Sequence, residues 1–169
     1  ERLKRQHQLP LDDAIRIATG VAGALEHAHR HDVVHRDIKP ANILLQDGEP
    51  VVADFGIALA AERVSETKAG TLKGKLSYMA PEMTTDAPVD RRADIFSLGI
   101  VLYELITGRR LFARENEGAT LHAILNDEPP LAAGPGIPAE VDRIIAKACA
   151  KKPEARYQSA LEMQEDIEA

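Results

Sequence analysis

The sequence predicts a mainly α domain that carries one short β-hairpin. Three observations point there. Apolar residues recur at spacings of three and four at Ile15, Ala18, Ala22, Leu25 and Ala28, one face of a long helix. A second apolar stretch, Asp90 to Gly108, reads as a helix buried nearly all round. Between them, two short apolar runs flank Asp47-Gly48, a dipeptide suited to a tight hairpin turn.

In chain order, Pro10 with Asp12 and Asp13 suits the start of the first helix, where a fixed φ and negative charge both fit. Gly20 and Gly23 lie inside it and predict close packing of another helix. His27, His29, His31 and His35 crowd its end. His27 and His31 have the i, i+4 spacing of a metal pair, but no carboxylate or Cys motif completes a site. Histidines satisfied by the helix's last carbonyls are the better reading. Ile43 to Leu45 and Val51 to Ala53 read as the two strands. From Ile57 to Tyr78 the pattern fades into Gly, Ser, Thr and Lys, a surface loop. The buried helix ends at Gly108, in the place of a stop signal. Ala119 to Asn126 predicts a short helix with Leu121, Ile124 and Leu125 on one side. Glu128 to Gly136 is an irregular link, too short to divide domains. Pro138 opens a further helix with Val141, Ile144, Ile145 and Ala148 inside, stopped by Lys151-Lys152-Pro153. Ser159 and Glu162 have the spacing of a capping box for a last helix.

At 169 residues the chain is long enough for one domain with its own core. Apolar residues make up 44%, so nothing suggests disorder, and the net charge of −6 argues against a nucleic-acid or anionic-membrane surface. Cys149 is alone, which rules out an internal disulfide and fits a reducing, cytoplasmic location. There is no initiator Met and no signal sequence, so the chain reads like the middle of something larger. Ile95 to Thr107 is the one stretch that tempts a membrane reading. It would span roughly 20 Å against roughly 30 Å for a bilayer core, and Glu104 interrupts it. No membrane contact is expected from this segment.

The chemistry concentrates in Val34-His35-Arg36-Asp37-Ile38-Lys39-Pro40-Ala41-Asn42-Ile43-Leu44-Leu45. Pro40 pushes Lys39 towards an extended conformation, so the polar centre is a loop. Val33-Val34 before it and Ile43-Leu44-Leu45 after it are expected to anchor both ends in a core. A carboxylate can accept a hydroxyl proton, an amide oxygen can bind magnesium, and an ammonium can meet a moving phosphate. A second carboxylate, Asp54 in Val51-Val52-Ala53-Asp54-Phe55-Gly56, follows Asp37 by 17 positions, and Met79-Ala80-Pro81-Glu82 lies further on. The three blocks, in this order, resemble the catalytic loop, the DFG motif and the APE motif of eukaryotic-type protein kinases.

That resemblance implies the helical C-terminal lobe of the protein-kinase-like fold over residues 1–169, with the catalytic loop at 35–42 and the activation segment at 54–82. It implies a Ser/Thr kinase that moves the γ-phosphoryl of ATP, with Mg2+, to a protein hydroxyl. Asp37 would be the catalytic base, Lys39 would contact the transferred phosphate, and Asn42 and Asp54 would hold the metal. Lys39, two positions after Asp37, is similar to Ser/Thr members, and Lys39-Pro40-Ala41-Asn42 looks similar to bacterial ones. His35 would support the loop, Phe55 would pack beneath the nucleotide-binding elements, and Gly56 would allow the turn. Asp94 resembles the buried helix Asp that binds the catalytic-loop backbone; its plainer reading is an ordinary N-cap. Glu82 and Arg156 resemble the ion pair that ties the activation segment to the lobe; as two exposed charges they would contribute only about 0–1 kcal/mol. Arg36, directly before Asp37, is the kind of residue that answers to a phosphate on the activation segment. The hydroxyls available are Ser65, Thr67, Thr71 and Ser77, with Thr71 favoured and Thr67 next.

Two departures matter. No Gly-rich phosphate loop, no strand lysine and no helix Glu to pair with it occur, so the N-terminal lobe is absent from this chain. Gly74-Lys75 stands where Ser/Thr members usually carry Gly-Thr, and Gly70-Thr71 lies four positions too early relative to Tyr78. The first departure leaves a competing reading, a pseudokinase or regulatory scaffold that binds proteins without catalysis. It also implies that residues 1–169 alone form a folded but catalytically silent lobe, with an apolar patch exposed near Phe55.

Overall fold

Helix α1 runs Leu11–His29, with Pro10 before it and Asp12 and Asp13 in its first turn. These elements come from a computed structural model that describes residues 8–55, 74–132 and 134–169. The buried face of α1 is Ala14, Ile17, Ala18, Val21, Ala22, Leu25 and His29. Ile15 and Ala28, assigned to that face from spacing, are only partly buried. The face turns because both α2 (Arg92–Thr107) and α5 (Ala160–Glu168) pack against α1, so two adjoining stripes are covered.

Strands β1 (Ile43–Gln46) and β2 (Glu49–Val52) pair antiparallel, with Leu44 opposite Val51 and Gln46 opposite Glu49. Asp47 and Gly48 between them have φ of 52° and 86°, the pair of left-handed residues that a two-residue turn of the right twist requires. The second strand therefore starts two residues earlier than expected, at Glu49, and includes Pro50. A two-stranded ribbon tolerates that proline because a missing N–H costs nothing on an open edge. Pro50 also explains Gly20. A Cβ at Gly20 would lie 2.3 Å from Pro50 Cγ, so the glycine accommodates the hairpin and not a second helix. Gly23 does face a helix, with Gln164 of α5 nearest. Arg16 of α1 donates to the Gly48 carbonyl and fixes the turn from below.

Helix α2 is the centre of the core. Every residue from Ala93 to Ile106 is buried, as the sequence predicts. Gly108 closes it with φ 67°, its N–H donating to Glu104 O at 2.8 Å. Helix α3 spans Glu117–Asn126, and the Asn116 side chain accepts from Ala119 N at 2.8 Å. Its inner face is Thr120, Ala123 and Ile124, one position round from the expected set, and Leu125 points outward. Helix α4 (Ala139–Ala148) follows Pro138 and buries the four residues its spacing predicts. It meets α2 so closely that a Cβ at Gly99 would lie 2.8 Å from both Ala148 Cβ and Cys149 Sγ. Burial pushes the Cys149 thiol up to about 12. At the start of α5, Ser159 Oγ accepts from Glu162 N at 3.1 Å, and Glu162 reaches back to Gln158 N at 2.9 Å. Among the described residues, no helix is long and apolar enough to cross a membrane.

One buried ion pair joins distant parts of the chain. Arg156 donates to both oxygens of Glu82, at 2.6 and 2.8 Å. Its other N–H groups reach Ala150 O, Arg92 O and Lys151 O at 2.7, 3.1 and 3.1 Å. All five guanidinium donors are thus used. The pair is buried, Glu82 at 7% and Arg156 at 2% exposure, so the weak surface-charge reading does not hold. Removing one partner leaves an uncompensated buried charge, which costs roughly 3–5 kcal/mol. Glu82→Ala should therefore lower unfolding free energy by about that amount. Chemical denaturation measures it, and a change of about 1 kcal/mol or less would show the pair to behave like a surface contact.

Candidate active site

The last turn of α1, the loop that follows it and the first turn of α2 meet at Asp94. This residue is fully buried and does not cap its helix. Asp90, just ahead of the helix, accepts from Arg92 N at 2.9 Å. Asp94 instead accepts three N–H groups: His29 Nε2 and His35 N on Oδ2 and Arg36 N on Oδ1, each at 2.8 Å. Arg36 has φ 67°, a left-handed conformation that costs a non-glycine residue about 1–3 kcal/mol. A hydrogen bond to a charged group contributes about 1.5–3 kcal/mol. The Asp94 bond to Arg36 N is thus large enough to offset the strain it holds.

His35 carries the arrangement onward. Its Nδ1 accepts from Asp37 N at 3.1 Å, so its Nε2 is the donor, to Ala53 O at 2.7 Å. Ala53 N in turn donates to Asn42 O at 2.8 Å. Ala53 is therefore held from both sides by the loop, and this brings Asp54 to it. Asp54 is exposed, with φ 62°, at the exit of the hairpin. Phe55 lies edge-on to the His35 ring, centroids 4.6 Å apart, and is half-buried.

Around Asp37, Asn42 Nδ2 donates to Asp37 O at 2.8 Å and to Asp37 Oδ2 at 3.1 Å. Lys39 Nζ lies 3.3 Å from Asp37 Oδ2. Lys39 is extended, φ −159°, ahead of the Pro40–Asn42 turn, as expected of a residue before proline. The loop's anchors match the expected set only in part: Ile43 packs partly buried against the core. Ile38 and His35 are buried at 0% and 1% exposure, whereas Val33, Leu44 and Leu45 are exposed. Among the described residues, Leu44, Leu45 and Val51 of the hairpin are exposed apolar side chains. Because the Asn42 amide nitrogen faces Asp37, its Oδ1 is left as an acceptor. An amide oxygen and the exposed Asp54 carboxylate are hard oxygen donors of the kind magnesium takes.

A profile of the family described as "Protein kinase domain" matches residues 1–166. The chain belongs to the protein kinase family. It is 45% identical, over 93% of its length, to the Tyrosine-protein kinase MasK of Myxococcus xanthus. It is 40% identical over 92% to the Serine/threonine-protein kinase PrkC of Bacillus subtilis, and 36% identical over its whole length to the Serine/threonine-protein kinase PknL of Mycobacterium tuberculosis. The chain spans 26%, 24% and 43% of those three relatives, so it corresponds to part of each. The expected kinship with bacterial members holds.

Among the expected site residues, the fold brings together His35, Arg36, Asp37, Lys39, Asn42, Asp54, Phe55 and Asp94. Glu82 and Arg156 pair apart from them. Gly56, Ser65, Thr67 and Thr71 lie outside the described residues. Ser77 is described and buried, at 4% exposure. Two features were missed. His29 is a site residue, not a helix-end histidine bound to carbonyls; its place four after Leu25 on a buried stripe was the available signal. Tyr78 donates its hydroxyl to Glu104, and its carbonyl accepts from Ser97 Oγ at 2.7 Å. Burial, with the Glu104 carboxylate, holds the Tyr78 phenol well above its usual range, so it stays a donor. Glu104 had registered only as an interruption of an apolar helix.

Proposed function

We propose that this chain is the C-terminal lobe of a protein kinase whose parent protein transfers the γ-phosphoryl of MgATP to a protein Ser or Thr. The observation that carries the reading is the fixing of Asp37, Lys39 and Asn42 in one hydrogen-bonded group, with Asp54 tied to it through Ala53. In this reading Asp37 accepts the substrate hydroxyl proton, Lys39 meets the moving phosphate, and Asn42 Oδ1 and Asp54 hold Mg2+. Mg2+ supplies neutralisation of the phosphate charge; the protein's part is positioning. The N-terminal lobe of the parent chain would close over the hairpin, where Leu44 is 54% exposed. The non-catalytic scaffold reading gains no support, because Asp37, Lys39, Asn42 and Asp54 are all present.

A specific observation favours keeping tyrosine as a second acceptor. Lys75 replaces the usual hydroxyl residue, and one relative is named a tyrosine kinase. Lys39 supports Ser/Thr. Assaying the full-length protein on Ser/Thr and Tyr peptides separates the two. In the same assay Asp37→Asn should cut turnover by roughly 10²–10⁴-fold with the melting temperature nearly unchanged. Near-wild-type turnover would remove Asp37 from the base role.

Regulation follows the same loop. Arg36 Nε is buried without a partner among the described residues. A phosphate on the activation segment would pair with that guanidinium and order the segment. The burial of Ser77 disfavours it as the acceptor and leaves Thr71, Thr67 and Ser65. Mass spectrometry of the active protein should find phosphate at one of these three, most of it at Thr71. Full activity after all are replaced by Ala would reject the regulatory reading.

A further inference from the structure

Two exposed histidines at the end of α1 take no part in the proposed reaction. We infer that His27 and His31 together form a surface site for a divalent transition ion of the class that imidazole suits, Cu2+ above all and Zn2+ after it. The inference does not depend on the proposed reading of Asp37.

The geometry carries it. The two ring centroids lie 4.7 Å apart, with 45° between the planes. Metal–nitrogen bonds are roughly 2.0–2.1 Å long, so two imidazoles on one ion, at an angle between square and tetrahedral, have centroids roughly 4.5–5 Å apart. The rings therefore need almost no movement to share an ion. His31 Nδ1 lies 2.8 Å from His27 O. A carbonyl only accepts, so Nδ1 carries the proton and Nε2 keeps its lone pair for a metal. A bond of this kind to a backbone carbonyl also fixes the ring's orientation, as it does for ligating histidines in general. A half-turn of the exposed His27 ring presents either of its nitrogens and leaves the centroid nearly in place. The backbone that carries the pair is held as well: Arg30 N donates to Glu26 O, and His31 N and Val33 N both donate to Ala28 O, each at 3.0 Å. Arg30, the cation between the two in sequence, is paired with Glu26 at 2.9 Å, and Asp32 adds an exposed carboxylate next to His31. Among the described residues, no group of three or more His, Cys, Asp or Glu side chains is placed to hold a metal, so water completes the shell. Two nitrogens with water oxygens suit Cu2+ better than the four protein ligands of a structural zinc site would.

The test is titration calorimetry of the full-length protein with CuCl2 and with ZnCl2, in excess MgCl2 so that oxygen sites are filled. Cu2+ should bind more tightly than Zn2+. His27→Gln and His31→Gln should each weaken Cu2+ binding by at least about tenfold, because the second imidazole no longer acts as a tethered ligand. His27→Gln keeps the His27 carbonyl and so keeps the bond that orients His31; its melting temperature without metal should match the wild type. Unchanged Cu2+ affinity in His27→Gln would overturn the inference. So would a loss in one variant alone, since a single imidazole would then be enough. Should His31→Gln fail to fold, His27→Gln decides alone by the same tenfold criterion. Electron paramagnetic resonance of the Cu2+ complex gives a second reading: two nitrogen ligands support the shared site, and one overturns it.

Discussion

A carboxylate with no exposure to water must find donors inside the protein, and Asp94 finds three. This is the constraint on which the site depends. It joins the end of α1, the loop and the start of α2 at one point, in the most completely buried helix among the described residues. Both loop donors are backbone groups, so the demand falls on main-chain geometry and holds Arg36 in its left-handed conformation. The turn at Arg36 aims Asp37 back towards Asn42 and Lys39. His35, held by the same carboxylate, passes the constraint to Ala53 and so to Asp54. A single buried group therefore sets the relation between two carboxylates that lie 17 positions apart in sequence.

The periphery is arranged to keep that centre still. The Glu82–Arg156 pair fastens the Pro81–Thr84 turn to the region before α5, with every guanidinium donor satisfied. Tyr78 is tied to α2 by its hydroxyl and its carbonyl. Gly20 lets Pro50 approach α1, which seats the hairpin against the helix that carries His29. Each of these contacts fixes a loop to a helix, which suits a site that works by placement and charge and not by a reactive nucleophile.

Much of this was legible in the residues. Hydrophobic period located α1, α2 and α4, and Asp47-Gly48 announced the turn because only a few residue types adopt its left-handed pair. The motif blocks named Asp37, Lys39, Asn42 and Asp54. What spacing could not show was which neighbour covers which stripe. Ile15 and Leu125 are apolar at plausible positions, yet the packing partners cover the stripe beside them. The Glu82–Arg156 pair was expected from the resemblance, but its burial was hidden, since charged residues 74 positions apart carry no local sign of their surroundings. His29 was hidden for a different reason: four histidines close together suggest a cluster, and the fold shows that His29 and His35 turn inward while His27 and His31 stay exposed.

The most direct measurement is amide hydrogen exchange at His35 and Arg36 in wild-type protein and in Asp94→Asn. Asparagine keeps the size of the side chain but offers one acceptor oxygen in place of two. If Asp94 holds the loop, both amides are protected in the wild type and lose much of that protection in the variant. Amides in the middle of α2, such as those of Val101 and Leu102, should keep theirs. Equal protection of His35 and Arg36 in the two proteins would contradict the account, because the loop would then owe its shape to something other than this carboxylate.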